Sequence, residues 1–288
     1  VTGPQAGSLA DRAVGALLGL AVGDAVGTTL EFRPRDSDPP LTDMVGGGPF
    51  RMPPGGWTDD TSMALGLADS LVALGRFDGG DIMRRWLRWM EQGAYSHTGT
   101  CFDNGHQTAT ALRRFARDGS LPPPTEAAGN GAIMRLAPVV LFALREAPER
   151  RRLIAADLAG RQARLTHNSN AAAATAETMA GLLHDLLHGA GAEALGAVAV
   201  ERGLVRSGGY VRDTWDAARW AVASTGSFRE AVLAAANLGE DADTTAAVAG
   251  QIAGALYGCA GIPAGWLERL LWRREIETLG RLLIDVQV

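Results

Sequence analysis

Apolar positions along the chain recur mostly at helical spacing. Met63, Leu67, Leu71 and Leu74 follow one another at four, four and three residues, and Val248, Ile252 and Leu256 at four. Leu182, Leu183, Leu186 and Leu187 form another i, i+4 stripe. Such spacing gathers apolar side chains on one helix face, so helices are predicted over 63–74, 248–256 and around 182–187. No run alternates β-branched and polar residues, so strands are not expected. Glycines fall every four residues at Gly15, Gly19, Gly23 and Gly27, and again at Gly250 and Gly254. A glycine inside a helix costs about 1 kcal/mol relative to alanine. The stripe makes sense if it lets two helices pack backbone against backbone.

Proline and glycine mark the loops, at Asp36–Pro40, Gly46–Pro49, Pro53–Gly56, Pro122–Pro124 and Ser207–Gly209. None is long or polar enough for a domain linker, and no solenoid period recurs. The expected architecture is a compact all-α helical bundle forming a single domain, residues 1–288. The most apolar stretch, Ala13–Val22, meets Asp24 before reaching the about 20 residues a bilayer span needs, so it reads as a buried helix. Asp11 beside Arg12 gives it no basic start for a signal peptide.

Composition narrows the partners. The 288 residues are 47% hydrophobic and 20% charged, a globular rather than a disordered balance. Against 32 acidic residues stand 27 basic ones, all arginine, with no basic stripe. A nucleic-acid partner is therefore not expected, nor is a membrane. Without lysine, Schiff-base chemistry and a P-loop lysine are excluded. Cys101 and Cys259 form neither a disulfide framework nor a metal pair, which points to a reducing cytoplasm. A monomer is expected.

Chemistry concentrates in two segments. Gly56-Trp57-Thr58-Asp59-Asp60-Thr61 leads into the Met63 helix, and Gly239-Glu240-Asp241-Ala242-Asp243-Thr244-Thr245 leads into the Val248 helix. A helix N-cap needs one acceptor, and each segment supplies three or four. Brought together, Thr58, Asp59, Asp60, Asp241, Asp243 and Thr244 would make an oxygen-rich pocket for a hard divalent cation. Without one, the carboxylates would repel and partly protonate. The cluster implies a metal, in the form of a two-ion site with the ions ~3.5–4 Å apart. His184-Asp185-Leu186-Leu187-His188 only approximates a zinc-protease motif, with Asp in place of Glu and no third ligand in sight.

With these segments the sequence resembles the ADP-ribosylglycohydrolases, the family that includes dinitrogenase reductase-activating glycohydrolase and the ADP-ribosylarginine and ADP-ribosylserine hydrolases. Six short motifs stand in the family's order: Gly23-Asp24-Ala25-Val26-Gly27 with Glu31; Thr58-Asp59-Asp60-Thr61; Asp103-Asn104-Gly105 with Thr108; Gly129-Asn130-Gly131-Ala132-Ile133-Met134-Arg135; Thr166-His167; and Asp241-Ala242-Asp243-Thr244. Each is weak alone; together they cover nearly the whole chain.

The resemblance implies an all-α fold with two Mg²⁺ or Mn²⁺ ions held by Thr58, Asp59, Asp60, Asp241, Asp243 and Thr244. It implies hydrolysis of ADP-ribose from a modified protein side chain, arginine first, with catalysis drawn from Glu31, Asp59, Asp60, Asp103 and Asp243. These acids would titrate together, so no single acid or base is assigned. Glu31 and Asp103 would also meet the substrate, Asp103 facing the leaving group. Gly129, Asn130, Gly131, Ala132 and Met134 form a loop whose backbone N–H groups could cradle a diphosphate, opening a helix at Met134. His167 would reach ribose or phosphate. His106 stands where another polar or acidic residue is expected. Serine-linked ADP-ribose, O-acetyl-ADP-ribose, a two-metal nucleotide phosphoesterase and a non-catalytic ADP-ribose-binding module remain alternatives.

Overall fold

The chain begins with a helix that the rest of the molecule wraps. The computed structural model describes residues 5–198 and 201–285; Val1 and both ends of the expected 1–288 domain lie outside them. Ser8 starts α1 (Leu9–Gly27), its hydroxyl accepting the Asp11 N–H. There follow α2 (Asp59–Leu74), α3 (Gly79–Gln92), α4 (His106–Asp118), α5 (Ala137–Ala143) and α6 (Pro148–Arg164). Then come α7 (Asn170–Leu187), α8 (Val211–Ala223), α9 (Phe228–Ala236), α10 (Ala242–Tyr257), α11 (Ala264–Arg269) and α12 (Arg273–Ile284). Among the described residues there are no strands, only two isolated bridges, Gly47 with Met52 and Gly129 with Tyr210. The all-α expectation holds.

The glycine stripe explains the central packing. α1 and α10 run antiparallel, and a Cβ added at Gly15, Gly19, Gly23 or Gly27 would fall within 2.7 Å of α10 backbone or the segment just after it. Gly250 and Gly254 return the contact against Gly19 and Gly15. The two backbones touch, a distance open only to residues without a Cβ. Arg12 fastens the far end, donating to Leu186 O of α7 and Leu256 O of α10.

Helix starts lie earlier than the apolar period suggests. α2 begins at Asp59 and α10 at Ala242. Their first turns carry acids and hydroxyls that are buried, which breaks the apolar pattern without breaking the helix. The helical stretch at the N-terminus also extends past Asp24, to Leu30. By length and composition it passes for a membrane span, and 89% of its most apolar window is buried inside the fold. One expectation fails. The glycine-rich loop does not open a helix at Met134: a single 3₁₀ turn spans Asn130–Ala132, and α5 starts only at Ala137. Pro138 sets that start, since proline suits a helix's first turn, while Arg135 is drawn inward by side-chain bonds.

Candidate active site

The contact between α1 and α10 brings both acidic helix starts to the C-terminal half of α1. Asp24, fully buried there, organises the first of them. Thr58 N–H lies 2.9 and 3.1 Å from the Asp24 oxygens and Thr58 Oγ1 3.0 Å from Oδ1. Thr61 donates to Asp24 Oδ2 from its N–H (3.1 Å) and its hydroxyl (2.6 Å). Asp24 thus caps α2 from another helix, and Thr58 makes no side-chain cap of its own. Asp241, at the start of α10, makes none either. Simple N-capping therefore does not account for the acids.

Two carboxylate groups form. Oxygens of Asp59, Asp60 and Asp243 lie within 4.8 Å of one another, as do oxygens of Glu31, Asp103 and Asp243. Asp243 belongs to both. Thr58 Oγ1 stands 3.3 Å from Asp243 Oδ2, and Thr244 Oγ1 3.4 Å from Asp60 Oδ2. Glu31 is not the exposed helix-end glutamate its position would suggest; it is buried, 3.4 Å from Thr28 Oγ1. Its loop is pinned to the second acidic segment: Phe32 N–H donates to Glu240 O and Glu240 N–H to Arg33 O, both at 2.7 Å. Phe32 and Glu240 both adopt positive φ, 59° and 57°, a strain that clusters at working sites. Asp103, also at positive φ (55°), does not cap α4, whose N-cap is Gly105.

These acids floor a cleft of about 340 Å³. Glu31, Asp59, Asp103, Asp241, Asp243 and Thr244 line it, while Thr58 and Asp60 lie buried beneath. Gly129, Asn130, Gly131, Met134, His167 and His106 line the cleft as well. Ala132 sits behind the loop, its carbonyl held by Gln162 Nε2. The Asn130 amide is committed within the chain, donating to Asp241 Oδ2 (2.8 Å) and Thr214 Oγ1 (2.9 Å). It ties the glycine loop to the second acidic segment. The glycines answer to His167 as well: a Cβ at Gly131 would lie 2.5 Å from its Cε1, and one at Gly129 would lie 3.1 Å from its Nε2.

Burial dominates the electrostatics. It pushes Glu31 up to about 10, with Asp103 and Asp241 adding repulsion. It pushes Asp103 up to about 7 and Asp24 to about 6, the latter despite four hydrogen bonds that favour ionisation. Asp59, Asp60 and Asp243 are driven well above the ordinary carboxylate range by burial and by one another. A carboxyl whose folded pKa is raised adds stability below its unfolded value, lost as pH rises through the folded value. In chelator, the melting temperature should therefore fall between about pH 5 and about pH 9, by ~5 °C or more, as these acids are forced to ionise together. Added Mg²⁺ should recover the loss, most at the alkaline end. A chelated melting curve that is flat or rises over this range, read by scanning calorimetry, would contradict the cluster's electrostatics.

The site's donor set fits hard cations. Asp60 Oδ1 and Asp243 Oδ1 are buried with no hydrogen-bond partner, a costly state for a carboxylate oxygen unless a cation takes it. Neither acid group contains histidine or cysteine, a donor set that suits Mg²⁺ or Mn²⁺ better than zinc. His184 on α7 and His188 at its C-cap lie elsewhere, rings 4.1 Å apart, with His184 Nδ1 3.0 Å from Asp185 and no third ligand in reach among the described residues. The sequence pointed to Asp24 only as part of a motif. Its one further signal was an acid inside an apolar helix.

The chain is similar to known proteins over nearly its whole length. Residues 5–288 match the family model ADP-ribosylglycohydrolase. Over 96% of its length the chain is 45% identical to the ADP-ribosylarginine hydrolase Tri1 of Pseudomonas putida (strain GB-1), covering 78% of that protein. It is 35% identical to the ADP-ribosyl-(dinitrogen reductase) glycohydrolase of Rhodospirillum rubrum, over 96% of this chain and 95% of that one. A solved structure described as an ADP-ribosylglycohydrolase-related protein complex superposes with a TM-score of 0.82 at 40% identity, covering 96% of this chain and 98% of that chain.

Proposed function

Because this chain belongs to the ADP-ribosylglycohydrolase family, we propose that it removes ADP-ribose from modified arginine side chains, using two divalent cations, Mg²⁺ or Mn²⁺. The observation that carries this reading is the pair of carboxylate groups joined by Asp243 at the floor of one cleft, with Asp103 in the group that also holds Glu31. The Pseudomonas relative is an ADP-ribosylarginine hydrolase by name, which supports the choice of linkage.

Thr58, Asp59, Asp60, Asp241, Asp243 and Thr244 would hold the cations, which when bound neutralise the acids and polarise oxygen ligands. The remaining roles fall to the chain. A water between Glu31, Asp103 and Asp243 is oriented by three carboxylates and gives its proton to whichever is ionised. Their negative charge also stabilises the oxocarbenium-like state through which the C1–N bond breaks. Asp103 holds the substrate's guanidinium by a charge-assisted contact. As the C1–N bond breaks its electron pair stays on nitrogen, and the guanidine that leaves takes up the proton the carboxylates received from water. Gly129 N–H is committed to Gln107 Oε1 (2.8 Å) and Asn130 N–H to Gly209 O (3.1 Å), so with no lysine in the chain the diphosphate-bearing part falls to Gly131 N–H and His167.

Supplying ADP-ribosyl-arginine, ADP-ribosyl-serine and O-acetyl-ADP-ribose in turn, with Mg²⁺ and with chelator, tests the reading. Free ADP-ribose is expected chiefly from the arginine substrate and only with the metal. Asp103→Asn should slow that release on the order of 10²-fold. Release of AMP or phosphate would make the protein a phosphoesterase. Faster turnover of either other substrate would overturn the arginine linkage, and no turnover of any would leave a binding module.

A further inference from the structure

Arg135 closes the glycine-rich motif, yet it does not face the cleft. It is fully buried, its guanidinium 4.1 Å from the centre of the Trp86 ring. Nε donates to Gln162 Oε1 at 3.2 Å, and a terminal nitrogen donates to Thr166 Oγ1 at 2.5 Å. Thr166 Oγ1 in turn lies 2.8 Å from His167 Nδ1. Beyond it, the imidazole rests against Gly129 and Gly131 and borders the cleft.

Counting protons along this row decides the tautomer. A guanidinium only donates, so Thr166 Oγ1 accepts from Arg135. The hydroxyl then has one proton of its own to place, and the acceptor beside it is His167 Nδ1. Were Nδ1 also protonated, the hydroxyl would receive two donors and its own proton would be stranded in the interior, at a cost of about 1–3 kcal/mol. Nδ1 is therefore bare, and the ring proton sits on Nε2. We propose that Arg135 and Thr166 are positioning residues that fix His167 as the Nε2–H tautomer, so that a neutral imidazole donates a hydrogen bond into the ADP-ribose cleft.

Two further observations agree. Burial, with Arg135 nearby, pulls His167 down to about 3, so the ring stays uncharged. Among the described residues Nε2 has no acceptor within the chain, which leaves it for the ligand. A ring locked in this way recognises an oxygen of the ligand and does not shuttle protons. Proton transfer is then left to the acids that line the same cleft. Only the identity of the ligand rests on the proposed function; the tautomer does not.

Nitrogen-15 correlation spectra of the labelled full-length protein at about pH 7 read the tautomer directly. His167→Gln assigns the signals among the five histidines. A protonated Nε2 with a bare Nδ1 is expected in the unaltered chain. Thr166→Val keeps the shape and removes the hydroxyl, and should give mixed tautomers and weaken ADP-ribose binding about tenfold. Mg²⁺ binding should not change. Thr166→Ser should restore both readouts. Should the valine variant melt early, Arg135→Lys, which keeps the charge but cannot make the same bonds, supplies the same tautomer readout. A protonated Nδ1 in the unaltered protein overturns the proposal, as do variants whose tautomer and affinity stay unaltered. Failure of the unaltered protein to bind ADP-ribose would count against the proposed function, while the spectra would still decide the tautomer.

Discussion

Asp243→Ala is expected to lower ADP-ribose release at least ~10³-fold, about 4 kcal/mol of barrier, while raising the melting temperature of the metal-free protein. The two effects have opposite signs for one reason. Asp243 alone among the acids belongs to both carboxylate groups, so its loss opens both at once. Its Oδ1 is buried without a partner, and its carboxyl is pushed far up by burial first and then by Glu31, Asp60 and Asp103. Near pH 8 the chelated protein must either keep that carboxyl protonated well above its ordinary range or ionise it against its neighbours, and alanine removes either cost. What alanine gives up in the chain is the contact with Thr58 Oγ1 at 3.3 Å and a side-chain hydrogen bond shared with Asp103. The Mg²⁺-induced rise in melting temperature should shrink or vanish together with activity. Asp59→Ala, which touches one group only, should be the milder change in both readouts. Calorimetry with chelator and with Mg²⁺, beside a release assay, checks all of this. A variant that keeps its Mg²⁺-dependent stabilisation would remove Asp243 from the metal site.

What could be seen in the sequence was local along the chain. The four-residue glycine period announced a backbone contact, and the structure supplies the partner helix, α10. The paired Thr/Asp segments stood out because several oxygen donors sit beside each other at each helix start. Less visible were the links between distant segments. Asp24 bonds Thr58, 34 residues on; Asn130 bonds Asp241, 111 residues on; Arg135 bonds Thr166, 31 residues on. Nothing in the local pattern marks these pairs, because the crossing of helices decides which polar groups meet. For the same reason the loop at Met134 read as a helix start. Its residues look helical, but Arg135 is pulled into the core and Pro138 sets where α5 can begin.

Gly23→Ala should cost at least ~3 kcal/mol, a fall of roughly 5–10 °C in melting temperature for a chain of this size. A single methyl group does this because of what it would meet. The added Cβ would lie 2.0 Å from Ala246 O and 2.9 Å from Ala247 Cα, both backbone atoms of α10. A side-chain obstacle could rotate away, whereas here two helices must part. Propensity acts in the other direction, since alanine favours a helix over glycine by about 1 kcal/mol, so any loss measures the contact. Gly265→Ala is the control: it lies in α11, nothing is within 4 Å of the added carbon, and it should be neutral or slightly stabilising. The damage should also reach the chemistry. Asp24 follows Gly23 directly and carries the first turn of α2, while Asp243 and Thr244 lie on the stretch of α10 that would be pushed away. A displacement on the order of 1 Å in a catalytic array costs on the order of 10²-fold in rate. Gly23→Ala assayed well below its melting temperature should therefore be folded by circular dichroism and still slow. Were it folded and fully active, the tight contact between α1 and α10 would be a matter of stability alone.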